Sequence, residues 1–143
     1  MSDKTVAPSA VAVSNAVDEQ KFHPDRCEAG FDMPVFITQG RYTRDAVKGM
    51  VVRPEDRADA VGRLLAKSGG KLIGYYLTFG EYDFLVIAEA PGATQMAAVL
   101  LAAASGGGVT DLKTTLAMTS VEAKGAFAAA SDLTHSFRSP GGV

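Results

Sequence analysis

The chain is 143 residues long, 47% hydrophobic, with a formal net charge of −2. That size suits one domain with tails, and the interspersed charges argue against a nucleic-acid-binding face. A single cysteine, Cys27, excludes an internal disulfide and a multi-cysteine metal cage, and no run reaches the roughly 18 apolar residues that a membrane span needs.

These features imply a reducing, cytoplasmic setting, with no nucleic-acid partner and no membrane partner. Residues 1–33 are rich in Ala, Val, Ser, Asp and Pro and hold no sustained period. They read as a flexible N-terminal arm without the apolar core of a signal peptide. Phe22 and Phe31 are its candidate docking points on a partner. The organised pattern begins at Pro34 and is expected to hold to residue 130, with residues 131–143 a second flexible tail.

Residues 35–42, VFITQGRY, read as the first strand, with Phe36, Thr38 and Tyr42 on one face and Val35, Ile37, Gln39 and Arg41 on the other. Residues 43–50 are polar and helix-compatible. Pro54, followed by Glu55 and Asp56, predicts a helix from its first turn to Ser68, with Ala58, Val61, Leu64 and Leu65 as its apolar stripe and Gly69-Gly70 as its stop.

Two runs rich in β-branched and aromatic residues follow, at 72–79 and 82–88, separated by Gly80-Glu81. Glycine first in a two-residue loop predicts a type II′ hairpin. Residues 93–104 form a second helix, apolar nearly all round, which predicts burial on more than one side. Residues 109–118 alternate as a half-exposed strand, with Thr110, Leu112, Thr114 and Leu116 on one face. Thr119-Ser120-Val121-Glu122 is a capping-box pattern that opens a last helix to about Ala130.

Strand, helix, strand, strand, helix, strand and an added helix make a ferredoxin-like α+β plan, βαββαβ, with the first and third strands central. The third strand is apolar on both faces beyond its first two residues. Helices cover one face, and a second copy of the sheet is the simplest cover for the other. A homodimer with sheets packed face to face, or a higher homo-oligomer, is expected.

Residues 33–130 resemble the GYD-domain family. The resemblance is carried by PVFITQGRYT, by RPEDRADAVGRLLAKSGGKLIGYYLTFGEYDFLVIAEAP, in which Gly80-Glu81-Tyr82-Asp83 holds the signature, and by TLAMTSVE. It implies a dimeric α/β barrel. It selects no activity, because related barrels include isomerases, monooxygenases, haem enzymes and ligand-sensing domains.

Tyr82 and Asp83 are expected to open the central strand on opposite faces. One reading makes Asp83 a pin for the hairpin and Tyr82 a core residue with a satisfied hydroxyl. The other makes them part of a ligand pocket with Thr38, Arg41, Tyr42 and Tyr76, where Asp83 or Tyr82 would be the candidate catalytic group. The scattered arginines at 41, 44, 53, 57 and 63 mostly suit a solvated face; converging, they would hold an anion. Arg53–Asp56 and Asp59–Arg63 are local ion-pair candidates. His23 and His135, the two histidines, both lie in the tails. A haem with an axial histidine, a facial-triad iron and a hydrolytic triad therefore lack their ligands or base, and no cofactor or metal is expected.

The leading expectation is a small non-catalytic homo-oligomer that binds a small ligand or a partner. One alternative is a cofactor-independent enzyme acting on a small carbonyl or aromatic compound. The other is an accessory subunit docked through its tails.

Overall fold

A computed structural model of the chain describes residues 33–141. The expected N-terminal arm, with His23, Cys27, Phe22 and Phe31, lies outside the described residues. The elements are β1 (Val35–Tyr42), α1 (Arg44–Val52), α2 (Arg57–Lys67), β2 (Lys71–Leu77), β3 (Phe84–Glu89), α3 (Ala93–Ser105), β4 (Val109–Ala117) and α4 (Ser120–Thr134). The four strands form one antiparallel sheet in the order β2-β3-β1-β4, so the first and third strands are central, as a ferredoxin-like plan requires.

Phe36 and Thr38 from β1, and Phe84, Val86 and Ala88 from β3, are buried beneath Leu65 of α2 and Met96 and Val99 of α3. The opposite face carries Val35, Ile37, Leu85 and Ile87, all partly exposed.

Local chemistry sets the helix ends. Thr43 caps α1 through its side chain, and the helix stops at Val52 because Arg53 precedes Pro54, which disfavours helical backbone before it. The start of α2 moves accordingly. Pro54 lies in the connection, and Asp56 caps the helix by accepting the Ala58 N–H at 3.0 Å. At the other end Gly69 takes φ +82°, while Gly69 and Gly70 N–H donate to Ala66 O and Leu65 O at 3.0 and 2.9 Å. This is a Schellman stop.

The β2–β3 connection differs from the expected II′ turn. Pairing keeps the register of a Gly80-Glu81 loop, but the strand pairing ends at Leu77–Phe84, and Gly80 is not among the glycines at positive φ. Thr78 N–H donates to Asp83 O at 2.8 Å and its hydroxyl donates to Tyr82 O at 2.7 Å. Asp83 N–H turns to Gly40 O at 2.9 Å. The two Thr78 bonds tie the ends of the loop together, while the Asp83 N–H is turned from β2 to β1, and Tyr82 and Asp83 sit before β3 rather than opening it.

Two bulges shift side-chain phase. One extra residue in β2 lies between Leu72 and Gly74; another, Asp111 at φ +52°, lies in β4 opposite Gly40. The second separates Thr110, which pairs with Arg41, from the inward Leu112.

Helix α3 buries one stripe and leaves Leu101 exposed, so within the chain it is not enclosed on several sides. Helix α4 has the full capping box and runs to Thr134, four residues past the expected end at Ala130. None of its residues is buried, and Val121, Phe127 and Leu133 are 79, 76 and 66% exposed.

Candidate functional site

Between the sheet and the helices lies a cavity of about 420 Å³. Its floor is Thr38 and Tyr42 of β1, Tyr75 of β2, and Phe84, Val86 and Ala88 of β3. Leu64 and Leu65 of α2, Met96, Val99 and Leu100 of α3, and Leu112 of β4 supply the walls. Exposed lining residues, Gly49, Arg53, Glu55 and Gly106, mark the rim. The volume falls within the roughly 300–1,000 Å³ of small-molecule sites, and an apolar lining with few polar groups is their usual composition.

The polar groups inside are hydroxyls. Tyr42 Oη and Tyr75 Oη share a hydrogen bond across β3. Phe84 lies against both rings, with its centroid 5.0 Å from Tyr42 and 6.0 Å from Tyr75. Burial, then the hydrogen bond and charge interaction with Tyr42, push the Tyr75 phenol above its ordinary range, while Arg57 pulls it down. Thr38 Oγ1 bonds Thr114 Oγ1 at 2.8 Å. At the rim Arg57 pairs with Glu55 at 2.5 Å, and Arg53 has no ion pair among the described residues.

The sequence candidates divide into three places. Thr38 and Tyr42 line the cavity. Arg41, Tyr82 and Asp83 gather instead at the end of the sheet. There the Asp83 carboxylate accepts the Tyr42 N–H at 2.9 Å, Arg41 Nε donates to Glu81 O at 2.8 Å, and the Arg41 guanidinium lies 5.9 Å from the Tyr82 ring centroid. Arg41 also reaches Asp111 at 3.8 Å. This cluster ties the β2–β3 loop to β1 and β4. Tyr76 lies apart, 57% exposed and paired with Leu85 on the other sheet face.

Sequence reasoning missed Tyr75. Plain alternation from Leu72 would turn Tyr76 inward; the bulge before Gly74 reverses the phase and turns Tyr75 inward instead. Gly74 was the available signal, because an isolated glycine within a strand pattern marks a bulge. Of the ion-pair candidates, Asp59–Arg63 forms. Asp56 is engaged as the α2 cap, and the rim pair is Arg57–Glu55. Among the described residues no cluster of His, Cys, Asp and Glu could hold a metal, and no helix is long and apolar enough to cross a membrane.

The antiparallel sheet with helices on one face defines a ferredoxin-like domain. The family model of the GYD domain matches residues 36–127, and the chain belongs to that family. Over 77 residues it is 32% identical to the glutamine synthetase and cystathionine beta-lyase binding protein of Thermus thermophilus, an alignment covering 54% of this chain and 81% of the relative. Among solved structures it is similar to a protein from Thermus thermophilus, at 19% identity and a TM-score of 0.42, covering 62% of this chain and 96% of that one. It is also similar to a transcriptional regulator from Neisseria meningitidis solved with L-Met, at 14% identity and a TM-score of 0.45, covering 80% of this chain and 71% of that one.

Proposed function

We propose that this protein is a non-catalytic binding protein whose site is the cavity between sheet and helices, and that it works as a face-to-face homodimer. The observation that carries the reading is the lining. It is apolar, with two tyrosines and Thr38, and its one carboxylate among the described residues, Glu55, is paired with Arg57. Among the described residues no histidine, cysteine, serine or lysine lines it. Such a wall can hold and orient a molecule but offers no activated nucleophile or general base. The enzymatic alternative relied on Asp83 and Tyr82, which lie outside this lining. The dimer rests on the apolar outer residues Val35, Ile37, Leu85 and Ile87 of the central strands.

A second reading, assembly with another protein, is favoured by the relative named for binding two enzymes and by the exposed apolar side chains of α4. Native mass spectrometry of the protein from its own host separates the two. Added mass of metabolite size on a dimer supports the cavity reading. Added mass of protein size puts the assembly reading first, and a bare monomer at micromolar concentration removes the dimer.

A further inference from the structure

We infer that the cavity takes a small apolar carboxylic acid, its hydrocarbon body against Phe84, Met96 and Leu112 and its carboxylate between the paired tyrosine hydroxyls and the arginine-bearing rim. This rests on the cavity being a ligand site.

The first ground is a proton count. Two phenols hold two O–H protons, and the Tyr42–Tyr75 bond uses one. Either hydroxyl can be the donor, and whichever accepts keeps a proton for a further acceptor. No other hydrogen-bond partner of either hydroxyl occurs among the described residues. An unmet donor against an apolar wall favours an occupant that brings an oxygen.

The second ground is charge. Arg53, Glu55 and Arg57 line the rim; Glu55 neutralises Arg57, which leaves Arg53 uncompensated. Among the described residues these three side chains therefore leave one net positive charge at the rim of the same cavity into which the O–H is offered. An oxygen acceptor carrying negative charge meets both, and charge-assisted bonds are the stronger kind. An ammonium group would meet two arginines against one carboxylate, Glu55, which is already paired with Arg57.

The third ground is the body. Phe84 and Met96 are 4 and 3% exposed, and Val86, Val99 and Leu112 continue the same wall. This wall gives dispersion to a hydrocarbon body.

The test is calorimetric titration of the full chain with matched probes: 3-phenylpropionate, its neutral amide, 3-phenylpropylamine and acetate. The acid is expected to bind, the amide about tenfold more weakly through loss of the charge-assisted bond, and the amine and acetate not measurably. Arg53→Gln, at an exposed position, should weaken the acid about tenfold and leave the amide unchanged. Equal binding of acid, amide and amine overturns the carboxylate assignment while leaving the cavity as a site. If no probe binds and toluene, which needs only an apolar space, also fails to shift the NMR signals of Leu112 and Val99, the cavity reading itself falls.

Discussion

Tyr42 and Tyr75 stand on strands that do not touch, β1 and β2, and join hydroxyls across the intervening β3. Replacing Tyr75 with Phe removes that bond and leaves Tyr42 Oη without its partner. The expected cost is about 1 kcal/mol, read as a drop of a few degrees in thermal midpoint. The same variant tests a pH effect. The unfolded phenol ionises near pH 10.0, and the folded Tyr75 at a higher pH. Below the unfolded value both states hold the proton and its contribution is complete; above it the unfolded state ionises first, so stability falls as pH rises. Denaturant midpoints taken from about pH 9 to 11.5 should therefore fall more steeply in the wild type than in Tyr75→Phe.

Gly40 of β1 packs against Phe84 and Leu112, two residues that line the cavity. A Cβ there would lie 2.6 Å from Phe84 Cζ and 2.7 Å from Leu112 Cδ2. Gly40→Ala forces both side chains to shift and should cost about 1–3 kcal/mol by chemical denaturation. Gly125 in α4 meets nothing within 4 Å. Gly125→Ala there should raise helix content in circular dichroism, alanine being favoured by about 1 kcal/mol inside an exposed helix.

Asp83 separates the structural and catalytic readings of the signature. Its carboxylate holds the Tyr42 N–H. Asp83→Ala should destabilise by about 1–3 kcal/mol while the calorimetric binding constant for a cavity ligand stays within about threefold of wild type. A binding loss far beyond that, in protein still folded at the assay temperature, would give Asp83 a direct role at the site.

Ile87 points to the outer sheet face beside Ile37. Under the dimer reading, Ile87→Lys buries an unpaired ammonium between two sheets, which is strongly unfavourable. Sedimentation equilibrium should show a dimer for the wild type and a monomer with an unchanged far-ultraviolet spectrum for the variant. A wild-type monomer, or a dimer indifferent to the lysine, refutes the face-to-face arrangement.

The sequence made the frame legible and left the site half visible, for one physical reason. VFITQGRY has the bounds of β1, the Leu64–Leu65 stripe of α2 packs where its period placed it, and Thr119 and Glu122 form the box their spacing announced. Each of these depends on residues near in sequence. The errors came where distant groups competed for a local backbone. Asp83 N–H found Gly40 O, and the expected two-residue turn opened. An extra residue in β2 exchanged Tyr76 for Tyr75 at the cavity. Glycine permits a turn without demanding one, and period-2 alternation carries no warning of a bulge except the glycine itself.

Helix α4 is well capped, yet none of its residues is buried. A 15-residue helix in water is near the lower limit of independent stability, so its start is secured and its remainder depends on company. Its amide protons should consequently exchange orders of magnitude faster than those of β1 and β3, which wait for global opening. If a second copy or a partner covers Phe127 and Leu133, that exchange slows as concentration rises while the sheet's rate holds. The last helix would then act as a built-in gauge of whether the molecule is alone.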